Sequence, residues 1–165
     1  MKKYKNQNFS ELMQMTPATY SASLAVNEKY VEMLAPLDLA GLEELVELSC
    51  YAKHTGEGEA FLIAVDGAAR YDCENHEWFK ARYENFIYID RIAIGDAYQR
   101  KGLGKIFYED LISFASKRGF KNLCAEVNVK PDNPASHGFH LTMGFEPVGE
   151  GQDGHKIVRY YVKSI

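Results

Sequence analysis

Gln99-Arg100-Lys101-Gly102-Leu103-Gly104-Lys105 stands between an apolar run, Phe86 to Ile94, and an amphipathic segment, Leu103 to Arg118. The order reads strand, glycine turn, helix. Such a turn gathers free backbone N–H groups at a helix N-terminus, where aligned peptide dipoles favour an anion. Gly102 and Gly104 let the backbone come close to phosphate oxygens, and Arg100, Lys101 and Lys105 add charge. Two familiar phosphate patterns do not fit. A P-loop needs glycine at 99 and Ser or Thr at 106, where Gln99 and Ile106 stand; the dinucleotide fingerprint needs glycine at 107, which is Phe107.

Downstream, Phe120 to Asn128 (FKNLCAEVN) reads as a second strand, so residues 86 to 128 make a βαβ crossover with two parallel strands. The turn then lies at the carboxyl end of a strand, where open α/β sheets bind ligands. Phe86 to Ile94 alternates Phe86, Tyr88, Asp90, Ile92 and Ile94 on one face with Ile87, Ile89, Arg91 and Ala93 on the other. Asp90 and Arg91 inside such a run either pair with each other or border a wet cleft. On the next strand Leu123, Ala125 and Val127 share one face, and Cys124, Glu126 and Asn128 the other. Lys130-Pro131-Asp132-Asn133-Pro134 breaks the chain and restarts it as a short helix capped by Asn133, with Ala135, Phe139 and Met143 as its buried ridge and Ser136 and His140 beside it.

Toward the N-terminus the pattern gives a strand over Asn8 to Gln14, a helix from Thr16-Pro17 to about Glu28, and a second helix behind Asp38 carrying Leu39, Leu42, Leu45, Val46 and Leu48. Ala60 to Val65 reads as a buried strand ending at Asp66-Gly67. Ala68 to Asn85 matches neither period and reads as a long excursion with one helical turn; its aromatics, Tyr71, Trp78 and Tyr83 among them, are either lid packing or a substrate wall. Phe145 to Glu150 and Lys156 to Lys163 close the chain as an antiparallel hairpin around Asp153-Gly154.

The chain of 165 residues is 46% hydrophobic and 25% charged with a net charge of −4, an ordinary globular composition that argues against a nucleic-acid surface. One domain over residues 1–165 is expected, without a membrane span or a leader, in the cytoplasm. Cys50, Cys73 and Cys124 form neither a disulfide framework nor a zinc-site spacing, so no metal is expected.

Gln99 to Gly104 resembles the Q/R-x-x-G-x-G/A acyl-CoA loop of the GCN5-related N-acetyltransferases. Asn133 to Phe145, with Ala135, Phe139 and Met143-Gly144-Phe145, resembles that family's second signature, in the expected order. The resemblance implies an α/β (α+β) acyl-CoA N-acyltransferase fold, with a mixed, mostly antiparallel central sheet, a βαβ crossover and flanking helices. It implies acetyl-CoA as co-substrate, its pantetheine on the backbone of Ile92, Ala93 and Ile94, its pyrophosphate on Gln99 to Lys105, and Asn133 touching it. A strand edge can pair with pantetheine amides as it does with a peptide. The activity implied is acetyl transfer to a primary amine of a small molecule or peptide. Partners are thus an amine acceptor and, as an open alternative, a second copy of the chain.

Glu126 stands where some family members, the ribosomal-protein alanine acetyltransferases among them, keep a base. It is either that base or a half-exposed strand carboxylate, with Asp90 and Tyr88 in reserve. His140 stands where the family most often has a thiolate-protonating tyrosine, and is either an acid or a satisfied helix histidine. Asn27 and Glu28, Tyr71 to Tyr83 with Trp78, and the cleft residues Tyr88 and Asp90 are the candidates for acceptor contact. A non-catalytic acyl-CoA sensor and a protein-interaction module with a vestigial loop are the rival functions.

Overall fold

A computed structural model describes residues 11–165. The first strand expected over Asn8 to Gln14 is seen as β1, Met13–Gln14; residues 8–10 lie outside the described residues. Thr16 leads into a 3-10 turn, Pro17–Thr19, and helix α1, Tyr20–Lys29. Helix α2, Leu39–Leu48, starts as expected at Asp38, whose carboxylate accepts the Gly41 N–H at 2.8 Å, though Leu39 itself is exposed.

Strand β2, Tyr51–Thr55, pairs antiparallel with β3, Ala60–Asp66. The sequence reading passed over β2, because Lys53 and His54 interrupt its apolar pattern. His54 is buried all the same. Ala68 to Asn85 contains more helix than expected: α3, Glu74–Lys80, buries Asn75, His76 and Phe79. Strand β4, Phe86–Ile94, is followed by α4, Leu103–Lys117, and β5, Asn122–Lys130. Helix α5, Pro134–Thr142, and the hairpin of β6, Glu146–Asp153, with β7, Lys156–Ser164, complete the chain.

The seven strands run in the order β1-β2-β3-β4-β5-β7-β6, and only β4 and β5 are parallel neighbours. The mixed, mostly antiparallel sheet with its βαβ crossover is therefore as expected. β3 is buried on both faces. Its Ala60, Leu62 and Ala64 join α4 residues Leu103, Phe107 and Leu111, whereas Phe61, Ile63 and Val65 join α1 and α2 through Val26, Leu42 and Leu45. Each fully buried Leu or Phe contributes about 1.5–3 kcal/mol, which is why the sheet needs both layers.

Strict alternation along β4 fails at Asp90. Ile63 is opposite Arg91 and Ala64 is opposite Ile89, so Asp90 is the extra residue of a bulge. Before it, Ile87 and Ile89 face α4; after it, Ile92 and Ile94 do, and Ala93 faces α1 and α2. The five residues expected on one face are thus divided between two. On α5 the expected ridge is also revised: Ala135 is exposed and His140 is the buried residue.

Gly58 ties α1 to the β2–β3 turn. Its φ is +114°, its carbonyl accepts the buried Ser23 hydroxyl at 2.8 Å, and a Cβ there would lie 2.4 Å from the Thr19 carbonyl oxygen. Gly58→Ala is expected to cost about 1–3 kcal/mol, read as a lower urea midpoint with an unchanged slope.

Candidate active site

The parallel contact between β4 and β5 is short. Phe86, Ile87 and Tyr88 pair with Asn122, Leu123 and Cys124, and beyond them the strands are no longer partners. A cleft of about 1030 Å³ opens along this parting. Its walls include Ile92, Ala93 and Ile94 of β4, Gln99, Arg100 and Gly104 of the turn, and Asn133 and His140 from the α5 region. Gly102 takes φ +73°, the left-handed conformation that starts α4, and nothing lies within 4 Å of where its Cβ would be.

Not all of the expected loop faces the cleft. Leu103 is core, packed with Phe107 and Leu111, and Lys105 pairs with Glu109 at 3.6 Å; neither they nor Lys101 and Gly102 line the cavity wall. The Gln99 amide nitrogen donates to the Ile94 carbonyl at 3.0 Å and the Tyr30 hydroxyl at 2.7 Å, tying the turn to the end of β4. Asn133 accepts the Ser136 N–H at 3.3 Å as the α5 cap, which leaves its amide nitrogen as donor for a ligand.

Glu126 of β5 also lines the cleft. Its Oε1 accepts the Tyr88 hydroxyl at 2.8 Å and the Asn75 amide at 3.2 Å, and its buried Oε2 has no partner. Burial pushes its carboxyl up to about 8, with Asp90 and Asp153 adding to the rise and the Tyr88 hydrogen bond opposing it. The two reserves are otherwise occupied. Tyr88 is buried with its phenol held well above its ordinary range, so it donates rather than acts as a base. Asp90 accepts the Tyr71 hydroxyl on one oxygen and Arg91 Nε on the other at 2.7 Å. The local ion pair is therefore the reading that holds for Asp90 and Arg91, and Tyr71, Tyr88 and Asp90 all line the cavity.

Three expectations are revised by their surroundings. Asn27 is buried behind the wall, where its Oδ1 accepts Arg91 Nη1 at 2.8 Å and its amide donates to the Ala35 carbonyl at 3.0 Å. Trp78 is also outside the cleft, stacked on Tyr160 at 4.0 Å with Arg82 over its ring. His140 lines the cleft but is 3% exposed. Its Nδ1 is 2.8 Å from the Ser136 carbonyl, which can only accept, so Nδ1 carries the proton and Nε2 accepts the Tyr108 hydroxyl at 2.8 Å. Burial lowers its basicity further. Both nitrogens of the His140 imidazole are thus engaged, by Ser136 and by Tyr108.

Asn75, Tyr108, Asp153 and Tyr160 were missed by the sequence reading. Asn75 lay in the unassigned excursion and Asp153 passed for a turn residue. A signal did exist for Tyr108, a hydroxyl on the otherwise apolar face of α4. Among the described residues no group of three or more His, Cys, Asp or Glu is placed to hold a metal ion.

A phosphate-type turn at a helix start, a parting between parallel strands and a carboxylate in its wall define an acyl-CoA-dependent transferase architecture. Residues 36–145 match the acetyltransferase (GNAT) family profile, and the chain belongs to that family. The fold is similar to the ribosomal-protein-S18-alanine N-acetyltransferase of Escherichia coli, at 20% identity and TM-score 0.68 over 94% of this chain and 93% of that one. It is likewise similar to the ribosomal-protein-alanine N-acetyltransferase of Brucella melitensis, at 18% identity and TM-score 0.71 over 94% and 99%. NAA60 of Arabidopsis thaliana, solved in complex with acetyl-CoA, matches at 13% identity and TM-score 0.71 over 94% and 99%. No curated protein matches the chain in sequence. No helix among the described residues is long and apolar enough to cross a membrane.

Proposed function

We propose that this chain transfers the acetyl group of acetyl-CoA to a primary amine of a small molecule or peptide by direct attack, with Glu126 as the base. The observation that carries the reading is the Glu126 carboxyl in the cleft wall, pushed up to about 8 and keeping one oxygen unengaged. A primary ammonium must lose a proton before it attacks, and the ionised Glu126 carboxylate, more abundant as pH rises toward about 8, has the affinity to take one. The amine nitrogen then bonds to the acetyl carbonyl carbon, the C–S bond breaks, and CoA leaves as its thiol or thiolate.

The backbone supports the donor half of the reading. The Gly95 N–H goes to the Glu59 carbonyl on the β3 side at 2.7 Å, so strand alternation turns the Ile94 N–H toward the parting. There it is a donor for pantetheine or for the oxyanion of the tetrahedral species. Arg100, Gly104 and the unpartnered N–H groups of the first α4 turn suit the pyrophosphate. The free cysteines, Cys124 buried among them, suit the reducing cytoplasm.

Thiol release from acetyl-CoA over a panel of amines tests the proposal. Two proteins of similar fold are named for an alanine of a ribosomal protein, so peptide α-amines belong in that panel. Turnover on at least one amine is expected. Tight acetyl-CoA binding without turnover on any amine would instead make this an acyl-CoA-binding domain.

A further inference from the structure

We propose that the acceptor carries a second positive charge beside its reacting amine, and that Asp153 receives that charge. The proposal rests on the reading of this cleft as the amine site.

Three elements bring Asn75 of α3, Glu126 of β5 and Asp153 at the end of β6 to one wall of the cleft. Asn75 is 2% exposed, and its Oδ1 accepts the Tyr160 hydroxyl at 3.0 Å. With the amide so oriented, both hydrogens of Nδ2 are directed at acids: Glu126 Oε1 at 3.2 Å and Asp153 Oδ2 at 3.1 Å. Tyr160 is in turn clamped by the stacked Trp78 ring. The two carboxylates therefore lie no more than two hydrogen-bond lengths apart, on one neutral donor, in an arrangement built from behind.

That donor does not neutralise them. No lysine, arginine or histidine of the described residues forms an ion pair with Glu126 or Asp153. Nearby Arg91 is committed to Asp90, and Lys156 points its ammonium at the Leu34 carbonyl at 3.3 Å. Glu126 Oε2, buried and without a partner, marks the place of the reacting nitrogen, one Asn75 amide away from Asp153. Asp153 lines the cleft but is exposed to water, so an amine whose reacting nitrogen lies at Glu126 brings its next few atoms past a carboxylate that no basic group of the described residues pairs. A monoamine satisfies one carboxylate only. A short dication satisfies both, with its reacting nitrogen at Glu126, its second charge at Asp153 and its carbons along Tyr71, Tyr88 and Val158.

The same chemistry is present in an α,ω-diamine and in a peptide α-amine followed by lysine or arginine. Rates are compared for putrescine against butylamine, and for alanyl-lysine amide against alanyl-norleucine amide; the pair that shows the preference names the source. At least a tenfold higher kcat/KM for the dication of one pair is expected, and Asp153→Asn, which keeps an acceptor for Asn75, is expected to reduce that ratio about tenfold. Equal rates within both pairs, or a ratio unmoved by Asp153→Asn in a variant of unchanged Tm, overturns the proposal. Binding of the same probes to the CoA-bound protein is measured alongside. A protein that binds the dication preferentially without acetylating it refutes the proposed function and leaves the second-charge site standing; equal binding of all four without turnover overturns both.

Discussion

Glu126→Gln is expected to lower kcat/KM for an accepted amine by about 10²- to 10⁴-fold with little change in acetyl-CoA affinity. Glutamine keeps the shape and can still accept from Tyr88 and Asn75, so the substitution removes proton affinity and little else. The pH profile carries the sharper test. With the carboxyl at about 8, log kcat/KM in the parent enzyme rises with pH and bends near that value, and the bend disappears in the variant. The same group leaves a mark on stability. Its native value is raised above the ordinary 4.5, so between about pH 4.5 and 8 the folded state holds a proton that the unfolded state has released. Stability attributable to Glu126 is thus intact below that window and lost as pH rises through it, by an amount on the order of a few kcal/mol. The variant escapes this loss. It should therefore melt several degrees above the parent at about pH 9 and close to it at about pH 4. A variant of parental activity with no bend removed would show that the base lies elsewhere.

Arg91→Met should be the most damaging single change to the fold among the cleft residues. The Arg91 and Asp90 side chains are 7% and 4% exposed, and Arg91 also donates to Asn27 and, at 3.1 Å, to the Ala35 carbonyl. Methionine fills the volume but leaves Asp90 as a buried charge beside only the Tyr71 hydroxyl. Breaking a buried pair from one side costs about 3–5 kcal/mol, a fall in Tm on the order of 10 °C for a chain of this size. The double change Asp90→Asn with Arg91→Met should recover much of it, because no uncompensated charge then remains. A loss below about 1 kcal/mol in the single variant would mean that water reaches the pair and screens it.

The parts of this architecture that rest on periodicity were readable in advance. Phe86 to Ile94, the α4 stripe of Leu103, Phe107 and Leu111, and the two faces of β5 follow from spacing, because burial selects the residues one by one. The bulge was not readable. One unpaired residue leaves no trace in composition, yet it hands Ile92 and Ile94 to the face that Ile87 and Ile89 occupy before it. The site divides in the same way. The glycine turn and Glu126 are local features of a strand end and a helix start. The partners that decide what Glu126 is worth come from elsewhere in the chain, Asn75 being 51 residues from Glu126 and 78 from Asp153. His140 shows the converse, a residue type suited to proton transfer whose contacts with Tyr108 and Ser136 use both of its nitrogens.

The short parallel contact between β4 and β5 has a further consequence for solubility. An unpaired strand flank at the rim of a sheet invites a strand from another molecule. Here the unpaired flanks face each other inside the sheet, joined at one end by the pairs from Phe86–Asn122 to Tyr88–Cys124. Neither flank is an outer edge of the sheet, where a strand of another molecule could add alongside. The protein keeps its sticky backbone indoors, sheltered from aggregation.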